Sequence, residues 1–244
     1  MTANLPLLTT DASLNSDFSQ RVVDHAAGAR WLPSPLPGVT RRLLDRLLDR
    51  SLDRVLLSLG GEVARATSVV RYAPGSHFSQ HVHDGGEEIL VLEGVFSDET
   101  GDFPAGTYLR NPPGSAHAPH SVEGCLLFVK LRQFAPDDSE PVRTDTRQLA
   151  WRQGLVPGLK VMPLHSHGTV STALVRWAPN TQFSPHRHLG GEEIFVLDGV
   201  FRDEFGHYPA GSWLRGPCGS AHTPFIGPEG ALIYVKVGHL GAGL

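Results

Sequence analysis

Apolar positions along the chain fall in short runs closed by glycine or proline. Ile89-Leu-Val-Leu92 is followed by Gly94 and Ile194-Phe-Val-Leu197 by Gly199, while Leu126-Leu-Phe-Val129 and Leu232-Ile-Tyr-Val235 have the same form. Short runs rich in Val, Ile and Phe, recurring at intervals of roughly ten residues with turn residues between them, predict β-strands in a sandwich or barrel. One interval departs from this pattern. Leu43-Leu-Asp-Arg46, Leu47-Leu-Asp-Arg50 and Ser51-Leu-Asp-Arg54 form a small tandem repeat with leucine recurring every fourth residue. With Arg46/Asp49 and Arg50/Asp53 at i,i+3 spacing, residues 43–58 read as a helical or irregular excursion, the alternative being a long edge strand. Residues 1–15 carry no periodicity and read as a flexible tail.

The strand pattern occurs twice. Val70–Pro119 aligns on Val175–Pro224 without a gap at an offset of 105, with 32 of 50 positions identical. Coincidence does not reach that level, so the chain is an internal duplication. Trp31 stands six residues before Pro37-Gly38, as Trp151 does before Pro157-Gly158, an offset of 120. The difference, 120 − 105 = 15, places about 15 extra residues in the first lobe between Gly38 and Val70. The expected organisation is a tail (1–15), an N-terminal lobe (16–136, with the insertion near 43–58) and a C-terminal lobe (137–244). The polar stretch Asp137-Asp138-Ser139-Glu140-Pro141 then serves as the linker.

Composition narrows the function classes. A formal charge of -4 offers no basic excess for direct nucleic-acid binding. No apolar run is long enough to span a membrane, and the N-terminus lacks a charged-then-apolar signal pattern, so the expected location is the cytoplasm. Cys125 and Cys218 form no spaced framework, in keeping with a reducing compartment.

The chemistry lies in the repeat. His81-Val-His83-Asp-Gly-Gly-Glu87 is answered by His117, and His186-Arg-His188-Leu-Gly-Gly-Glu192 by His222 at the same spacing. On a strand, side chains at i and i+2 share a face, so His81 and His83 point together, as do His186 and His188. Glu87 and Glu192 have the same parity after a Gly-Gly turn, whereas Glu88 and Glu193 should point away. Three imidazoles and one carboxylate suit a divalent first-row metal and leave coordination positions open. One ion per lobe is expected, zinc or ferrous iron first and nickel or manganese next. Among the other histidines, His165-Ser-His167 lacks a following carboxylate and reads as a solvent-facing strand. His77 and His120 flank the motifs in the first lobe only and read as exposed loop residues. Cys218 reads as a small buried filler, and Arg110 and Arg215 as structural partners of Asp98/Glu99 and Asp203/Glu204.

The motif spacing resembles that of the cupins. Gly75, His81, His83, Glu87 and Gly94 match their first motif, and Gly106, Pro112, Gly114 and His117 the second; Gly211, Pro217, Gly219 and His222 repeat the latter. Asn180 replaces the first glycine in the second lobe, a residue that tolerates a left-handed turn. The fold this implies is all-β, a duplicated jelly-roll barrel or bicupin with six to eight strands per lobe. The short gap between Glu and the last His, with the Gly-Gly-Glu-Glu wording, is similar to the ChrR-type cupins. That branch includes the zinc-binding domain of anti-sigma factors and resembles ferrous dioxygenases of the acetylacetone type. The resemblance implies either a metal-dependent dioxygenase acting on a small chelating carbonyl compound, or a non-catalytic zinc-binding sensor. The helical anti-sigma domain has no counterpart in this chain, which argues against direct sigma-factor binding. A small-molecule ligand or substrate is the expected partner, and a homodimer is compatible with the sequence.

Overall fold

The computed structural model describes residues 13–34, 37–48 and 64–241. Among them every regular element is a strand apart from a single 3-10 turn at Thr146–Gln148. No helix of the described residues is long and apolar enough to cross a membrane. The fold is the duplicated jelly roll, with a large antiparallel sheet and a separate two-stranded sheet in each lobe. The first lobe's sheet counts eleven described strands and the second's eight, because short pieces such as Ser76–His77 and His120–Ser121 join the first.

The chain forms two compact units, one built on Trp31–Thr144 and the other on Asp17–Arg30 with Asp145–Leu244. The sequence register places residues 17–30 at the head of the first lobe, yet in space they belong to the second unit. Val22–Asp24 pairs with Trp213–Gly216, and Val142–Asp145 lies beside Thr107–Asn111. Residues 22 and 142 are related by the same offset of 120 that relates the two tryptophans. Each leading strand therefore completes the sheet of the lobe it does not precede.

The interval from residue 43 corrects the helical expectation as far as it is described. Val39–Leu48 is one strand, paired along its length with Ala64–Tyr72 and bulged between Leu43 and Asp45. Leu43 and Leu44 are buried, so packing in the sheet overrides the four-residue leucine spacing. The remainder of the expected excursion, 49–58, lies outside the described residues.

In each lobe one long strand, Glu87–Asp98 or Glu192–Asp203, carries the core and the site together. Ile89 and Val91 share parity with Glu87 and join Val39, Phe96, Leu109 and Leu127 in one apolar cluster. Ile194 and Val196 do the same with Phe201, Leu214 and Ile233. Burying each such side chain contributes about 1.5–3 kcal/mol, so the strand that presents the carboxylate is fixed by the residues beneath it. Leu90 and Phe195 are buried on the opposite face. Both long strands shift register near Gly94 and Gly199, where φ is +70° and an added Cβ would collide with the Gly124 or Gly230 carbonyl. Only glycine fits there.

Candidate metal centres

The histidine pairs sit on the two-stranded sheets. His81–His83 pairs with Ser115–His117 so that His81 lies opposite His117, and His186 likewise lies opposite His222. A turn with Gly86 at φ +75° or Gly191 at φ +74° then brings the glutamate round onto the long strand. Asn180 takes φ +60° where Gly75 takes +75°, as its place in the first motif requires.

These elements bring His81, His83 and His117 together, and separately His186, His188 and His222, each set with donor atoms within 4.8 Å of one another. In the first lobe His83 Nε2 lies 2.9 Å from His117 Nε2, and Glu87 Oε2 is 3.4 and 3.5 Å from the same nitrogens. In the second, His188 Nε2 and His222 Nε2 are 3.2 Å apart, and Glu192 Oε2 is 3.4 Å from each. Two donors each ~2.1 Å from one ion at angles of ~90–110° lie roughly 3.0–3.4 Å apart. The donor sets therefore fit a single ion in each lobe.

The outer nitrogens support the same geometry. His81 and His186 Nδ1 lie 3.0 Å from the carbonyls of Ser79 and Ser184, and His117 and His222 Nδ1 lie 3.4 Å from Asp98 and Asp203. An Nδ1–H held by an oxygen leaves the Nε2 lone pair for a metal and fixes the ring's orientation. Asp98 and Asp203 are thus site residues that the spacing of the motifs left unassigned. Asp98→Asn and Asp203→Asn are each expected to lower metal affinity in their own lobe by about 10–100-fold, readable by competition with a chromophoric chelator. Unchanged affinity in both variants would contradict this role.

The two centres share their donors and differ around them. Asn111 donates a 2.8 Å hydrogen bond to Glu87 and is itself held by Arg143 Nη2 at 2.5 Å. Its counterpart at the 105 offset is Gly216, which instead lines a cavity of about 20 Å³ beside His188, Glu192, Ile194 and His222. Burial pushes Glu87 up, but the neighbouring His83 and His117 and the Asn111 hydrogen bond outweigh it and hold the carboxyl below its usual range. Burial pushes Glu192 up to about 7, with His222 opposing only in part. Burial also takes His188 down to about 4, with His222 and His186 adding to the effect.

A pH difference between the lobes follows. Metal uptake requires the ionised carboxylate, whose fraction at Glu192 falls as pH drops through 7, whereas Glu87 stays ionised there. The carboxylate's share of the pH dependence is therefore expected at the second centre alone, where between pH 8 and pH 6 it approaches about one factor of ten per unit at the acid end. In a variant that keeps only the second triad, His83→Ala with His117→Ala, adding Glu192→Gln should flatten the curve by that amount, and in the converse variant, His188→Ala with His222→Ala, adding Glu87→Gln should leave the slope unchanged. An unchanged slope with Glu192→Gln would contradict the difference.

Several other assignments change. Arg110 pairs with Asp138 at 2.7 and 3.2 Å and stacks over Phe134, while Arg215 bonds the Asp17 carbonyl and stacks over Phe18. Both are buried structural residues, but these contacts replace the acidic partners expected at 98/99 and 203/204: each arginine holds a segment leading to an exchanged strand. Asp203 is taken instead by Arg21 and Tyr208, at 2.9 and 2.7 Å. His165 is buried rather than solvent-facing, and Cys218 is exposed rather than a buried filler. His77 is exposed as expected, whereas His120, its cross-strand neighbour, is half-buried. Glu193 points away from the donors, as parity requires, and pairs with His239 at 3.2 Å.

A duplicated jelly roll with a His-x-His, Glu and distant His set in each lobe defines a cupin. The ChrR cupin-like domain family model matches residues 19–135 and 139–241, and the chain belongs to that family. Among solved structures it is similar to a candidate dioxygenase of Nostoc punctiforme PCC 73102, at 15% identity and TM-score 0.71, covering 93% of this chain and 85% of that one. It is also similar to the Lactobacillus farciminis oxalate decarboxylase formate complex (15%, TM-score 0.60, 89% and 86%) and to protein YlbA of E. coli (17%, 0.64, 90% and 91%). At these identities the likeness concerns the fold. No curated protein sequence matches the chain.

Proposed function

We propose that the chain is a metal-dependent enzyme of the dioxygenase type, acting on a small chelating carbonyl compound. One divalent ion would be held in each lobe, by His81, His83, His117 and Glu87 and by His186, His188, His222 and Glu192. The observation that carries this reading is the convergence of one carboxylate oxygen and two imidazole nitrogens at metal-ligand separations in both lobes. Ferrous iron in such a site would polarise a bound carbonyl and supply electrons to dioxygen.

The chain's own residues then have defined tasks. The histidines and the glutamate fix the ion and leave coordination positions for the substrate. Ile194 and Leu214 give the second cavity an apolar part of its wall. Neither Glu193, paired with His239, nor Glu88, buried on the strand face opposite Glu87, is placed to move a proton at the centre. A second reading, a zinc-binding sensor without turnover, is the one that the resemblance to the ChrR-type cupins implies.

Elemental analysis of protein purified without added metal, followed by anaerobic iron loading and oxygen uptake with β-diketones, separates the two. The enzyme reading expects iron-dependent oxygen consumption. Zinc at two per chain and no oxygen uptake after iron loading would leave the sensor.

A further inference from the structure

The two lobes share their donors and differ at a few positions beside them. Asn111 is replaced by Gly216 and Phe103 by Tyr208 at the offset of 105, and at the offset of 120 Arg21 stands where the first lobe has Pro141. Arg21 reaches the second centre only because its segment belongs to that unit. It is half-buried, with Nη2 bonded to Asp203 at 2.9 Å and to the Tyr208 hydroxyl at 2.6 Å, and its guanidinium lies 4.4 Å from the Phe205 ring centroid. Nε and Nη1 have no hydrogen-bond partner among the described residues, and Arg21 lines the cavity together with Glu192 and Gly216.

Charge points to the kind of ligand, and the cavity of about 20 Å³ admits only a small one. A divalent ion with Glu192 carries a net single positive charge, and Arg21 cancels Asp203, so the second centre favours an anion. In the first lobe the arginine beside the centre, Arg143, is engaged by Asn111 and by the Arg110 and Val142 carbonyls, and Asn111 occupies the place that Gly216 leaves open. Guanidinium N–H groups are good carboxylate donors, and Arg21 shares the cavity with the donors His188 and Glu192.

We propose that the second centre is the one that takes substrate, that the substrate is a small 2-oxo carboxylate, and that Arg21 binds its carboxylate while Asn111 keeps the first centre closed. This rests on the metal-centre reading above and adds to it a substrate class and a division of labour between the lobes. Arg21 also positions Asp203 behind His222, so its test must separate recognition from support of the metal.

The experiment is calorimetric titration of zinc-loaded protein with pyruvate, with butane-2,3-dione as a control of similar shape that lacks the carboxylate. The expected result is a single pyruvate bound per chain. Arg21→Ala should weaken pyruvate binding by at least about tenfold with butane-2,3-dione affinity unchanged, and Arg21→Lys should fall between. Gly216→Asn should abolish pyruvate binding while the metal content stays at two per chain. An added Cβ there meets only the Ser220 hydroxyl closely, at 2.7 Å, and the first lobe carries the asparagine at the equivalent position, Asn111, with a serine again at the position equivalent to Ser220. Two pyruvates per chain, a wild-type response in Arg21→Ala or Gly216→Asn, or equal losses for both probes in Arg21→Ala would overturn the proposal. Fewer than two zinc ions in the wild-type protein would instead strike at the metal-centre reading on which it stands.

Discussion

His222→Ala is expected to empty the second centre while the first keeps its ion, and His117→Ala to do the reverse. Each of these histidines makes the closest nitrogen contact in its set, 2.9 Å to His83 or 3.2 Å to His188, and also meets the glutamate and the aspartate behind it. Losing an outer-sphere partner typically costs about 10–100-fold in metal affinity, so losing the donor itself should exceed about 100-fold in that lobe. The donor sets lie within separate compact units, so the unaltered lobe should titrate as in the wild type. Metal content after dialysis against a weak chelator reads this directly. Retention of both ions by His222→Ala would show that the ion is not held by the set assigned to it.

The second large effect is on stability. Phe201 is 1% exposed in the second lobe's apolar cluster, with ring centroids 5.9 Å from Trp177, 6.3 Å from Tyr208 and 6.2 Å from His222. Phe201→Ala removes a large ring from a closely packed interior and is expected to cost about 3–5 kcal/mol. The loss should appear in differential scanning calorimetry as an earlier transition, with weaker metal retention in the second lobe because the ring that backs His222 is gone. A loss below about 1 kcal/mol would mean that the cavity collapses freely and that the cluster does not hold the site.

Much of this arrangement is legible in the sequence because two periodicities carry it. The offset of 105 reveals the duplication, and the two-residue alternation of a strand separates Glu87 and Glu192 from Glu88 and Glu193. Asn180 is readable for a similar reason, since its position demands a positive φ. What the sequence conceals is whatever depends on tertiary partners. Asp98 and Asp203 approach the histidines only once the long strand has bent, and Arg110 finds Asp138 across 28 residues of chain. The leucine repeat at 43–54 has helical spacing, yet its first part lies in a sheet because Ala64–Tyr72 offers it a complete ladder. Arg21 is the plainest case. Register assigns it to the first lobe, and only the exchange of leading strands delivers it to Asp203 and the second cavity.

The exchange also bears on how two similar lobes can come to differ. An edge strand from elsewhere in the chain can bring a new side chain to a centre while the donors stay fixed, since donors and edge belong to different segments. Arg21 at one centre and the Arg143–Asn111 pair at the other are both products of this arrangement.

The most direct test of the central claim is metal stoichiometry in three proteins: the wild type, Glu87→Ala with His83→Ala, and Glu192→Ala with His188→Ala. Two ions per chain in the wild type and one in each double variant would agree with two independent centres built from the residues named. No stoichiometric metal in the wild type, or two ions retained in either double variant, would contradict it.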